Sequence, residues 1–149
     1  MTERNVKVII RRMTEDDIGA VLSLGGNMVS RYELMSLGLE GPLDFSFVAE
    51  VDGHIIGFNL AQMQYVGIPL ARVCLMYGIV VEYEYRRHGI GNRLVEAMIK
   101  CSDEKGVNTV RALIKQDDAQ LQRFISQLGF TRSTIDNYDR AVGGKPQVS

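Results

Sequence analysis

Residues Ile79-Val-Val-Glu-Tyr-Glu-Tyr-Arg-Arg-His-Gly-Ile-Gly-Asn92 join an apolar strand to a helix through a glycine-rich bend. The strand, residues 72–81, is apolar on both faces, with Val73, Leu75, Ile79 and Val81 set against Cys74, Met76 and Val80. Such a strand is covered on both sides and belongs inside a sheet. The polar residues 82–85 form a bend, and Arg86-Arg87-His88-Gly89-Ile90-Gly91 follows at once. From there Ile90, Leu94, Ala97, Met98 and Cys101 recur at helical spacing, up to about Gly106. The start of a helix offers unpaired N–H groups and a partial positive charge. Glycines let an anion come close to that backbone, and Arg86, Arg87 and Arg93 add formal charge. The junction therefore predicts a diphosphate-binding turn. No Gly-Lys-Ser/Thr follows it, so it is not a P-loop, and it lacks the third glycine of the dinucleotide pattern. Taken alone, the same six residues also fit a tight turn beside a solvated arginine pair.

The rest of the chain supplies a frame for this junction. Residues 6–12 alternate loosely as a first strand, and Thr14-Glu15-Asp16-Asp17 caps a helix carrying Ile18, Val21 and Leu22. Residues 25–43 carry little pattern beyond a short helix at about 29–37. Phe45, Phe47, Ala49 and Val51 share one strand face. Asp52-Gly53 then suits a two-residue hairpin, and the return strand runs from His54 to about Gln64. Residues 109–114 form the next strand. Asp117 or Asp118 caps a helix striped by Leu121, Phe124, Ile125 and Leu128, and Gly129 stops it. Residues 130–138 are expected to form a last strand, and 141–149 a flexible tail. This order predicts an α/β fold, a mixed central sheet flanked by helices, in one domain over residues 1–140.

Composition narrows the function classes. The chain has 149 residues, enough for one core, and its formal net charge of −1 argues against a general nucleic-acid binder. No apolar run reaches the roughly 18 residues that span a bilayer, and the N-terminus lacks a signal-peptide segment. A cytoplasmic location is the expectation. Cys74 and Cys101 lie in apolar periodic segments and read as reduced, buried thiols. His54 and His88 are far apart and form no metal-ligand spacing, so no metal site is expected.

Arg86-x-x-Gly89-x-Gly91 resembles the Arg/Gln-x-x-Gly-x-Gly/Ala acyl-CoA motif of the GNAT superfamily of N-acetyltransferases. The stretch from Val48 to Phe58 resembles that family's second and third strands, Ile79-Val-Val81 the end of its fourth, and Leu128-Gly-Phe130 the close of its fourth helix. The resemblance covers roughly residues 6–140 and is weakest over 25–43. It implies a GNAT fold with six to seven strands and about four helices, acetyl-CoA as acyl donor, and a primary amine of a small molecule or protein as acceptor. The cofactor-binding residues it implies are Ile79, Val80, Val81, Arg86, Arg87, His88, Gly89, Ile90, Gly91 and Asn92. Amides of the turn would wrap the pyrophosphate. The backbone of residues 79–81 would pair with the pantetheine arm as an added strand, in an opening between strands 72–81 and 109–114. Gly78 would ease the local bend.

The chain departs from the family pattern where protons move. The usual tyrosine, four residues before the closing glycine, is Ile125; the usual asparagine at that helix start is Asp118; a glutamate of the fifth strand is Leu113. Tyr138, Tyr77 and Glu82 stand as replacement candidates, with Tyr83, Glu33 and Tyr32 behind them, though for each a structural role is favoured, tyrosines here being more often core or rim residues. Catalysis by positioning alone is compatible with a thiolate leaving group. A non-catalytic acyl-CoA-binding module is the alternative that these losses raise. Residues 141–149 lack the alternation of a seventh strand, which leaves a sheet edge for a homodimer partner.

Overall fold

A computed structural model describes residues 7–143. They fall into two compact units, divided between Leu113 and Ile114. The first unit holds β1 (Ile9–Arg12), α1 (Ile18–Gly25), α2 (Arg31–Ser36), β2 (Phe47–Val51), β3 (His54–Val66), β4 (Ala71–Val81), α3 (Ile90–Glu104) and β5 (Val110–Ala112). The second holds α4 (Ala119–Gln127). The sheet order is β1-β2-β3-β4-β5. The first three pairings are antiparallel and the last, β4 with β5, is parallel. This is the mixed α/β sheet that the element order predicts.

Local chemistry explains the elements. Asp52 (φ 50°) and Gly53 (φ 80°) both take positive φ, as a type I′ turn requires, and place Val51 opposite His54. Ser30 and Glu33 cap α2 reciprocally, at 3.2 and 2.9 Å. Asp118 accepts from the Leu121 N–H at 3.0 Å and starts α4. That helix closes at Gly129 (φ 89°): the Gly129 N–H donates to the Ser126 carbonyl and the Phe130 N–H to that of Ile125. Both bonds of a Schellman cap are thus present at the Leu128-Gly-Phe130 closure.

Alternation along β3 sorts the two faces of the sheet. Phe58 and Leu60 join Val48, Val21, Ile18 and Leu34 in the core beneath α1 and α2, with Val80 packed against it. Gly57 points the other way, where an added Cβ would lie 3.4 Å from Leu94 Cδ1 of α3 and 3.1 Å from the Val80 carbonyl. The glycine thus permits close packing of α3 on the sheet. Ile90, Leu94, Val95 and Met98 are buried on the sheet side of that helix, each contributing roughly 1.5–3 kcal/mol by burial.

One expectation needs correction. Residues 130–138 form no strand, so among the described residues the sheet has five strands rather than six to seven. The physical reason lies in the pattern: Phe130, Ile135 and Tyr138 do not alternate at period two, and residues 131–140 are exposed. Among the described residues, the second unit also has no other strand to pair with. Beside the shared face of Phe47, Ala49 and Val51, β2 also buries Val48 on its other face. The expected start of β1 at Val6 lies outside the described residues, as does most of the 141–149 tail.

A feature absent from the sequence reading stabilises the entry to α1. Arg11 grips both oxygens of Asp17, at 2.9 and 2.8 Å, and donates to Glu50 at 2.6 Å. Burial pushes the Asp17 carboxyl up, but the Arg11 fork and the Thr14 N–H and hydroxyl outweigh it and hold it below the usual carboxylate value.

Candidate functional site

Two backbone features meet at the end of β4. The first is a bare edge. β5 pairs with β4 only at Cys74, Leu75 and Met76, so on that side residues 77–81 have no neighbouring strand among the described residues. On the other side, β3 stays paired as far as Gly57 opposite Val81. The register slips between Leu60 and Ala61: Leu60 faces Gly78, Ala61 faces Met76, and Tyr77 is the extra residue of a β-bulge. The irregularity thus sits at Tyr77, one residue before Gly78.

Alternation shows which backbone groups are free. The Glu82 N–H donates to the Ile56 carbonyl at 2.8 Å, so Glu82 faces β3. Val81 and Ile79 therefore turn their N–H and C=O groups to the open side, and Val80 turns its own to Phe58. Of the three residues expected to pair with an added strand, Val80 is the one whose backbone is occupied. Its side chain faces the core.

The second feature is the turn. Arg87 (φ 68°) and Gly89 (φ 75°) both take left-handed conformations, and α3 starts straight after Gly89 with no side-chain cap. The first helical bond is Arg93 N–H to the Gly89 carbonyl at 3.0 Å. The N–H groups of Ile90, Gly91 and Asn92 precede it and have no helical acceptor. Ile90 is buried and pins the helix start; Arg86, Arg87, His88, Gly89 and Asn92 are exposed, and Gly91 is half-buried. Nothing lies within 4 Å of where a Cβ on Gly89 would stand.

The arginines divide their work. Arg86 folds back: its Nε donates to the Val81 carbonyl at 3.0 Å, and its guanidinium lies 5.5 Å from the Tyr83 ring centre. It closes the bend and occupies one acceptor of the open edge. Arg93 reaches the Val8 carbonyl at 3.2 Å, so its charge is directed at β1. Neither tie has a signal in the sequence, because both depend on where the chain turns.

The candidates for proton transfer fall in both units. Tyr138 is 90% exposed in the second unit, which also carries Ile125 and Asp118. Leu113 is exposed past the end of β5. Glu82 is half-buried in the bend and Tyr83 lies under Arg86. Glu33 is engaged in the α2 cap. Tyr77 alone stands on the bulge of β4, with its hydroxyl bonded to Gln62 and Gln64. Among the described residues no cluster of three or more His, Cys, Asp or Glu is arranged to hold a metal ion.

A family model for the acetyltransferase (GNAT) family matches residues 25–130. This chain belongs to that family. As a GNAT acetyltransferase it is an enzyme of the acyltransferase class. No curated protein sequence matches it. Solved structures share its fold. An aminoglycoside N-acetyltransferase AAC(6')-Iy in complex with CoA superposes with a TM-score of 0.79 at 21% identity, over 95% of this chain and 99% of that one. The aminoglycoside 6'-N-acetyltransferase AAC(6')-Ih from Acinetobacter baumannii gives 0.78 at 19% identity, over 92% and 100%. The ribosomal-protein-S18-alanine N-acetyltransferase from Escherichia coli gives 0.71 at 21% identity, over 86% and 80%. At these identities the likeness is one of fold. No described helix is long and apolar enough to cross a membrane.

Proposed function

We propose that this GNAT acetyltransferase transfers an acetyl group from acetyl-CoA to a primary amine of a small molecule or protein, by direct attack. The observation that carries this reading is the bare β4 edge running into the uncapped start of α3. A diphosphate suits the N–H groups of residues 90–92, beside the left-handed Arg87 and Gly89. A pantetheine arm, with its own amides, can pair with Val81 N–H and with Ile79 as a short added strand. The thioester then reaches the closed end of the splay, where the Ile79 N–H, rather than the Val81 N–H that the arm engages, would receive the developing oxyanion.

The chemistry asks for a neutral amine. A lysine-type amine with a pKa near 10.4 must shed a proton before attack, to water or a base. Its nitrogen forms the C–N bond, the C–S bond breaks, and the CoA thiolate takes up a proton. Holding amine and thioester together supplies much of the rate. We place the reaction in the cytoplasm, where CoA thioesters are available and the free thiols of Cys74 and Cys101 suit a reducing compartment. A homodimer formed at a sheet edge belongs to the same proposal, and light scattering in solution would reveal it.

The test is thermal unfolding with and without 1 mM acetyl-CoA. A ligand at about 100 times its Kd adds roughly 2.7 kcal/mol, about 5–10 °C for a chain of this size. Release of free CoA thiol should follow on adding a panel of primary amines. An unchanged melting curve at 1 mM acetyl-CoA would sink the proposal.

A further inference from the structure

The hydrogen bonds around Tyr77 have a fixed direction. Gln62 Nε2 lies 2.8 Å from the Leu37 carbonyl, at the end of α2. A carbonyl only accepts, so that atom must be the amide nitrogen, and Gln62 Oε1 is then an acceptor. Gln64 Nε2 donates to Gln62 Oε1 at 2.8 Å and to the Tyr77 hydroxyl at 2.7 Å. The Tyr77 hydroxyl lies 3.1 Å from Gln62 Oε1, and since that oxygen cannot donate, Tyr77 does. The single phenolic proton is thereby committed to Gln62, one lone pair is taken by Gln64, and one lone pair remains. Tyr77 is 41% exposed, so that lone pair can be reached.

Its position matters as much as its polarity. Gln62 and Gln64 share the sheet face of Phe58 and Leu60, the face of α1 and α2. Tyr77 is the bulged residue at the closed end of the β4–β5 opening. From Val81 back to Tyr77 is about 13 Å of strand at roughly 3.3 Å per residue. An arm entering from the glycine turn, with its thioester at Ile79, therefore ends about 7 Å of strand short of this residue, on the side where an acceptor must sit.

We infer that Tyr77 receives the acceptor amine: its free lone pair takes an N–H of the attacking nitrogen, and the Gln62–Gln64 pair holds it in that orientation. This rests on the acetyl-CoA reading above. Tyr77 is then a substrate-positioning residue, and with its proton held by Gln62 it does not protonate the departing thiolate. The acceptor favoured is a nitrogen that still carries an N–H after it bonds to the acyl carbon, that is, a primary amine.

The experiment compares two CoA thioethers by calorimetry: one carries an N-propylacetamide arm, the other the matching propyl ester, which has no N–H. Wild type is expected to bind the amide about tenfold tighter than the ester. Tyr77→Phe is expected to bind both equally, with plain CoA bound as in wild type. Gln62→Met, which keeps the tyrosine but releases its proton, is expected to lose the preference as well. Equal binding of amide and ester by wild type, or a preference that survives in Tyr77→Phe, overturns the inference while leaving the cofactor site intact. Failure of wild type to bind plain CoA overturns the cofactor reading on which it rests.

Discussion

Gly89 is where the cofactor reading is most exposed to test. It takes φ 75°, directly before α3, and open space lies where its side chain would start. Two substitutions separate backbone strain from blockage of the site. Gly89→Ala forces a Cβ into a left-handed conformation, which costs roughly 1–2 kcal/mol. For a chain of this length that lowers the apo melting temperature by about 3–6 °C. Gly89→Glu carries the same strain and adds a carboxylate beside the proposed diphosphate. Two unit charges about 5 Å apart at an effective dielectric near 20 repel by about 3.3 kcal/mol. Affinity for CoA should therefore fall at least ~100-fold, while the melting temperature tracks that of the alanine variant. Salt separates the terms further, since the charge penalty shrinks at 0.5 M salt and strain does not. Titration calorimetry with CoA, beside thermal unfolding of the apo proteins, measures both. Gly89→Glu binding CoA within about threefold of wild type would refute the placement of the diphosphate.

Further outcomes follow from the side-chain environments. Asp17→Asn should cost about 1.5–3 kcal/mol at neutral pH by removing charge-assisted bonds from Arg11. Because the folded Asp17 carboxyl is held below its ordinary value, that stability is present above about pH 4 and is lost as pH falls through the lowered value. Urea unfolding from pH 7 to pH 2 should show the gap between wild type and Asp17→Asn closing in acid; a gap that widens there would contradict the assignment. Burial pushes the Cys74 thiol up to about 11, opposed by a bond from Ser102 and aided by nearby Cys101. At pH 8 only about 0.1% is thiolate, so iodoacetamide should label Cys74 in urea but hardly at all in the native protein. Rapid native labelling would show that the site opens.

Much of the fold is legible along the chain because the signals are local. Asp52-Gly53 specifies a turn with two positive φ values, and that turn forms. The Leu128-Gly-Phe130 closure forms both bonds of its cap. The junction at Gly89 places a helix where residue spacing asks for one. Residues 130–138 mislead because scattered apolar side chains look strand-like until a pairing partner is required. The short α2 is marked by its own capping box, Ser30 with Glu33, a signal present in the sequence for a start at Arg31.

What the order of residues settles is the local form: an uncapped, glycine-led helix start after an apolar strand, an arrangement that suits the diphosphate proposed above. What it leaves open is the direction of each group, which depends on contacts between residues far apart in the chain. Whether Arg93 faces the turn or Val8 depends on β1 lying beside α3. Whether Arg86 reaches outward or closes on the Val81 carbonyl depends on the bend between them. That Val80 is paired to β3 while Ile79 and Val81 turn their backbone groups to the open side follows from strand register. The polarity of Tyr77 follows from a carbonyl forty residues earlier, at Leu37, passed on through Gln62. Hydrogen bonds act over about 3 Å, and only folding brings such groups within that range.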